Sequence, residues 1–196
     1  MRKSLNSVAS RRGNRGNRCR GFTLIELMVV VAIAGLLATL AAPSFVKITQ
    51  QYRAMGEVSA FVGDLQFARN EAIKEGIAVS LCASANATSS PPSCSGSNSW
   101  QTGWIVFSNA SGTGTYSAST DTVLRIQKTW TNTDSFVADN ALSALTFSRE
   151  GFARNLPGLV TFVLHTTPSN TQATRCVAVN LAGRQQVQTV GQGNCT

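Results

Sequence analysis

Glu26 is the residue whose placement asks for a chemical explanation. It is the fifth position of an apolar run from Phe22 to Ala42, within the stretch Arg20-Gly21-Phe22-Thr23-Leu24-Ile25-Glu26-Leu27. An ionised carboxylate in hydrocarbon costs at least a few kcal/mol. A mere anchor gains nothing from it, so the group needs a cationic partner. A cut between Gly21 and Phe22 would create one. The new ammonium on Phe22 would lie one helical turn from Glu26, and in a helical assembly the ammonium of one copy could meet the Glu26 of the next. The chemistry is charge pairing in a processed, assembling chain.

The other chemistry-bearing residues are cysteines and one histidine. Of five cysteines, Cys19 precedes the apolar run and would leave with the segment before Phe22. An even set remains: Cys82, Cys94, Cys176 and Cys195. Beyond an inner membrane the compartment is oxidising, which makes two disulfides the natural reading. Proximity in the chain favours Cys82–Cys94 and Cys176–Cys195 among three pairings. Loops of roughly 12–20 residues each add about 3 kcal/mol in the chain-entropy account. Zinc is the rival reading, but His165 stands alone and no Cys-x-x-Cys occurs. No nucleophile elbow, metal cluster or phosphate loop is present. The chain therefore reads as a non-enzyme with no cofactor and no metal. Trp100, Trp104 and Trp130 read as core or interface aromatics.

The formal charge of +8 suggests nucleic acid until it is located. Seven of the 17 basic residues, and no acidic one, precede Phe22. After Phe22, ten basic residues face nine acidic ones. The basicity belongs to a leader, residues 1–21, which it would hold in the cytoplasm by the positive-inside rule.

The elements that must position these groups follow in order. Residues 22–42, at 1.5 Å per residue, reach about 31 Å, one bilayer core. A secretory signal is the alternative, kept open by Ala38-Thr39-Leu40-Ala41-Ala42. Gly35 and Pro43 interrupt this helix and predict a kink or melted stretch near Leu36–Pro43. An amphipathic half follows over residues 43–76. Phe45, Ile48, Tyr52, Met55, Val58, Val62, Leu65, Ala68 and Ala72 form its apolar stripe, and Gly76 is its stop. That stripe is expected to pack on a sheet. Beyond it the period changes to two. Strands are expected at Ile77–Cys82, Trp104–Phe107, Val123–Trp130, Leu145–Phe147, Gly158–His165 and Arg175–Leu181, with a turn at Ala182-Gly183 and a weak last strand over Arg184–Val190. This predicts an α+β fold, one long helix packed on an antiparallel sheet, with residues 77–196 as the β-rich domain.

Gly21-Phe22-Thr23-Leu24-Ile25-Glu26, the apolar run and Pro43 together resemble the type IV prepilin cleavage and methylation motif. Asp64–Ile73, Gly103–Phe107, Phe147-Ser148-Arg149-Glu150-Gly151 and Gly183-Arg184 resemble the GspH/FimT-type minor pilins and pseudopilins. The resemblance covers nearly everything after residue 20. It implies that a prepilin peptidase cuts Gly21–Phe22 and N-methylates Phe22, and that Glu26 neutralises the Phe22 amine of a neighbour. It implies other pilins, an inner-membrane assembly platform and the inner membrane as partners. It places a single-pass precursor in the inner membrane with its domain in the periplasm, and later in the pilus, at the tip or in a priming complex. The type II secretion pseudopilus (H-type) is the alternative; four retained cysteines lean toward the pilus. Some FimT-branch members bind DNA through Gly-Arg-x-Arg, where this chain reads Gly183-Arg184-Gln185-Gln186. Arg184 and Arg175 are the candidate DNA contacts, but a near-neutral domain lacks the electrostatic drive for that binding.

Overall fold

The computed structural model describes residues 21–196. The expected leader up to residue 20, Cys19 included, lies outside the described residues, as do the side chains of residues 40–43. Two compact units divide between Ala42 and Pro43. Helix α1 (Leu24–Glu75) contributes to both. Gly35 and Pro43, where a kink is expected, both lie within Leu24–Glu75.

In the first unit, α1 has no covering layer. Every large apolar side chain from Phe22 to Leu37 is 50–82% exposed. Among the described residues no single helix is long and apolar enough to cross a membrane, and the stretches Leu24–Thr39 and Ser44–Glu75 meet that criterion only jointly.

In the second unit, α1 ends where the sequence says it should. Gly76 takes the left-handed conformation (φ +69°), and its N–H donates to the Ala72 carbonyl at 3.1 Å. Glycine suits this position because it carries no Cβ to oppose a positive φ. Nine strands follow: β1 (Val79–Ala83), β2 (Trp104–Ser108), β3 (Thr122–Gln127), β4 (Ser135–Ala138), β5 (Ala144–Phe147), β6 (Ala153–Arg154), β7 (Val160–His165), β8 (Arg175–Val179) and β9 (Gln185–Thr189).

The expected single sheet is two. One has the order β3-β2-β1-β5-β6, the other β4-β7-β8-β9, and neighbouring strands are antiparallel. Strands β4 and β6 have no counterpart in the sequence reading. β6 has only two residues, too few for a period. β4 is an edge held by distant partners: Phe136 N–H donates to Gln101 Oε1 and Ala138 N–H to the Asn98 carbonyl, both at 3.1 Å. Strand β3 stops three residues short of the expected Trp130, whose N–H turns to the Gln101 carbonyl at 3.0 Å. The weak last strand is present as β9, and the hairpin before it turns through Leu181-Ala182-Gly183.

Of the expected apolar stripe of α1, Val58, Leu65, Ala68 and Ala72 are buried and Val62 is partly so, while its first half is not. The fully or nearly fully buried positions are Ala54, Val58, Phe61, Leu65, Ala68 and Ala72, at the alternating spacings of three and four that one helix face requires. Phe45, Ile48, Tyr52 and Met55 stay 45–74% exposed. Gln50 and Ala54 are buried in the same turns, so the covered face there is theirs and the first half of the expected stripe faces away from it.

Phe61, absent from the expected stripe, is the centre of the core. Its ring lies 4.7–5.5 Å from those of Trp100, Trp104, Phe136 and Phe162, within the range of favourable aromatic pairs. Both buried indoles find acceptors. Trp100 Nε1 donates to the Leu142 carbonyl (3.0 Å) and Trp104 Nε1 to Asp64 Oδ2 (2.9 Å).

A polar clasp joins α1 to the second sheet. Arg53 donates twice to the buried carboxylate of Asp134, at 2.7 and 2.8 Å, and the Thr167 N–H adds a third bond at 2.7 Å. Beside it, Asn132 Nδ2 donates to Glu57 Oε1, while Glu57 Oε2 is buried without a partner. Burial, reinforced by the Asp134 charge, outweighs that hydrogen bond and nearby Arg53 and raises the Glu57 pKa above 4.5. The folded chain then holds this proton more tightly than the unfolded one. Stability should fall as pH rises from about the ordinary glutamate value toward the raised one. Glu57→Gln keeps the acceptor and removes the charge. Urea midpoints measured between pH 4 and 7 should show that slope flattened and the neutral-pH midpoint raised.

Both expected disulfides form. The Cα atoms are 5.5 Å apart in Cys82–Cys94 and 5.6 Å in Cys176–Cys195. The first staples the Ser-rich loop after β1; the second fastens the C-terminal segment beneath β8.

Candidate functional site

The N-terminal motif is organised by Thr23. Helix α1 begins at Leu24, and Thr23 Oγ1 accepts the N–H of Glu26 at 3.2 Å. The Thr23 carbonyl accepts the N–H of Leu27 at 3.1 Å. Thr23-x-x-Glu26 has the spacing of a capping box, a signal visible in the sequence but unused there. Its consequence is chemical. An orphan helix-start N–H costs several kcal/mol in lipid, and the Thr23 hydroxyl satisfies one. Glu26 falls in the first turn, where the helix dipole favours negative charge. Its side chain is exposed, and among the described residues nothing bonds its carboxylate. Phe22 is 82% exposed, and the space around Gly21 is open. Gly21 and Phe22 immediately precede the helix start that carries Glu26, and among the described residues nothing covers any of the three.

The other motifs quoted from the sequence converge on packing. Asp64 accepts from Trp104 and from Arg125 Nη1 (3.0 Å), and the Arg125 guanidinium lies 3.7 Å from the centre of the Phe67 ring. Gly103 (φ +107°) sits against backbone, where an added Cβ would come within 2.6 Å of the Gln127 carbonyl oxygen. Arg69, Gly151 and Gly183 form a second cluster. Arg69 Nη2 donates to the Ala182 carbonyl at 3.2 Å, across two glycines that leave it room. A Cβ at Gly183 (φ +70°) would collide with the Gly151 carbonyl oxygen. Gly183→Ala should therefore lower domain stability by about 1–3 kcal/mol or more, read as a fall in the denaturation midpoint. Gly63→Ala, at a helical position with open space, should be neutral or stabilising. These residues hold α1 to the two sheets; their motif character is structural.

The candidate DNA contacts are not brought together. Arg175 opens β8, and its Nη1 is tied to the carbonyls of Gln172 and Thr174, both at 2.8 Å. Arg184 is exposed just before β9. Arg175 pairs in register with Thr189, so the two lie at opposite ends of the hairpin, a separation on the order of 15 Å. His165 is exposed at the end of β7, with Nδ1 3.4 Å from Thr174 Oγ1.

Residues 57–183 match the family described as type II transport protein GspH, and residues 16–42 match the prokaryotic N-terminal methylation motif. A fimbrial protein of Pseudomonas aeruginosa is 52% identical over 60 residues, covering 29% of this chain and 36% of that protein. The type IV major pilin protein PilA of Myxococcus xanthus is 70% identical over 30 residues, 15% of this chain and 14% of that one. The chain thus spans about a third or less of the length of these two curated relatives. Two crystal structures of the type IV minor pilin FimU of Pseudomonas aeruginosa share the fold. Their TM-scores are 0.50 and 0.52 at 24% and 23% identity, over 69% and 74% of this chain and 90% and 92% of theirs. Helix, sheets, disulfides and N-terminal motif define a type IV pilin-like structural protein. Within that class the chain belongs to the GspH family.

Proposed function

We propose that this chain is a minor pilin-type subunit, cut between Gly21 and Phe22, N-methylated on Phe22 and incorporated into a filament through its N-terminal helix. The observation that carries this is Glu26: a carboxylate in a helix start whose apolar side chains are all exposed, with no bond to it among the described residues. In lipid or in a bundle of such helices the charge requires a cation, and the Phe22 ammonium of a neighbouring subunit is the cation that cleavage supplies. Pairing it with Glu26 sets the axial register of the neighbour. The bare ridge of Phe45, Ile48, Tyr52 and Met55 is a second apolar surface for adjoining subunits. Its burial by adjoining helices would add the apolar term that a surface this exposed otherwise lacks.

In this reading residues 1–21 are the leader removed by a prepilin peptidase. The precursor sits in the inner membrane with its domain on the periplasmic side, engages an assembly platform there, and ends in the pilus, in a tip or priming complex with other pilins. The secretion pseudopilus uses the same N-terminal chemistry, and the family description favours it as the second reading. The deciding experiment for processing is the N-terminal mass of chain extracted from membranes or sheared filaments. A mature chain beginning with methylated Phe22 is expected; one beginning at Met1 overturns the proposal.

A further inference from the structure

The two sheets have four edge strands among the described residues, and three depart from a free, uncharged edge. β3 carries a charge, Arg125, held against Asp64, and is offset from β2 by an irregularity at Val106/Phe107. β6 has two residues, and its Ala153 N–H is taken by the Leu181 carbonyl at 3.0 Å. β4 is bridged by Ser99 at Val137 and bonded by Asn98 and Gln101. β9, Gln185-Gln186-Val187-Gln188-Thr189, has no charge, no proline and no such cover, and Gln186 and Val187 are exposed.

The backbone direction along β9 follows from its hairpin. Asn180 N–H donates to the Arg184 carbonyl at 3.2 Å, and the register with β8 is continuous from Val179↔Gln185 to Arg175↔Thr189. An antiparallel ladder alternates. The backbone groups of Gln186 and Gln188 therefore face β8, and those of Gln185, Val187 and Thr189 face outward. The Thr189 N–H is already taken by Gln192 Oε1 at 3.0 Å. Gln185 and Val187 keep the free outward donors and acceptors, one on each side of Gln186.

We infer that the β9 edge pairs with the β9 edge of a second copy of this chain, antiparallel about a two-fold axis at Gln186. In that register Gln185 opposes Val187 of the second copy and Val187 opposes its Gln185, two hydrogen-bonded pairs that use the groups left free. Gln186 faces Gln186, whose amide both donates and accepts. Arg184 falls opposite Gln188, so no like charges meet. Val187, 50% exposed in one copy, is covered by the Gln185 side chain of the other. A two-fold contact closes on itself, whereas a filament repeats by translation and rotation. This is therefore a contact of paired chains outside the filament, and it stands independently of processing at Gly21.

The test uses the full chain in membranes, in a Cys19→Ser background carrying Gln186→Cys. Opposed residues of a non-hydrogen-bonded pair lie about 4.5 Å apart, within disulfide reach. Mild oxidation should give a product of twice the monomer mass on non-reducing gels, at least about tenfold more than with Ser119→Cys on an exposed loop. Adding Val187→Pro removes an outward N–H and leaves the β8 ladder intact. It should cut the product about tenfold, as the loss of one or two net hydrogen bonds implies. Gln185→Pro should act alike, separating loss of pairing from misfolding at one position. A yield no higher than the Ser119→Cys control overturns the inference, as does a dimer indifferent to both prolines or a cross-link to a different protein.

Discussion

Glu26→Ala should abolish filament incorporation while leaving processing and folding intact. The substitution deletes the carboxylate and leaves the Phe22 ammonium of the neighbouring subunit unpaired among apolar helices. Removing one partner of a buried ion pair costs about 3–5 kcal/mol, a factor of several hundred or more per contact. The effect recurs at each interface the subunit makes through this pair. The helix start itself survives, because the Glu26 N–H still donates to Thr23 Oγ1 and alanine is a good helix former. The domain is untouched, since the GspH-family core begins beyond the border at Pro43. The expected result is a normal amount of chain with a mature N-terminus in membranes and a loss of at least about a hundredfold in the sheared filament fraction, read by immunoblot. Glu26→Gln should fail nearly as completely, because the amide has the shape but not the charge. Incorporation of Glu26→Ala at normal levels would refute the pairing.

The second large effect belongs to the folded domain. Phe61→Ala should destabilise it by about 3–5 kcal/mol, enough to unfold a domain of ordinary stability in part at growth temperature. Phe61 is fully buried and touches four other aromatic rings contributed by both sheets and the segment before β2. Truncation opens a cavity that those rings cannot close without leaving their rotamers, so both the transfer and the cavity contributions apply. Tyr52→Ala, a larger truncation on a 74% exposed side chain, should change stability by less than about 0.5 kcal/mol. Denaturant unfolding of the two variants separates core from contact ridge. Tyr52→Ala should then weaken incorporation without unfolding, the reverse of Phe61→Ala.

What was readable in one dimension shares a physical property: it depends on neighbours in sequence. The helix stop at Gly76 needs only a positive φ. The two disulfides join the nearest cysteines, where loop closure is least costly. The segment of β8 alternates strongly enough to show its period, β1 and β2 read as short apolar runs, and Glu26 is conspicuous because an apolar run makes any charge so. Even the Thr23 cap was written locally, as Thr-x-x-Glu.

What the chain alone left open depends on partners far away. Whether α1 buries Phe45, Ile48, Tyr52 and Met55 or Ala54 and Phe61 is set by which of its faces the domain covers. A helix with apolar residues on more than one face carries no mark of which face is covered. The division into two sheets, the short strands β4 and β6, and the clustering of Asp64 with Trp104 and of Arg69 with Gly151 and Gly183 arise from contacts dozens of residues apart. The apolar run alone marks Glu26 as a carboxylate in need of a cation. Tertiary structure decided which surfaces remain bare to meet other subunits, because burial is a property of the folded layers and not of any segment.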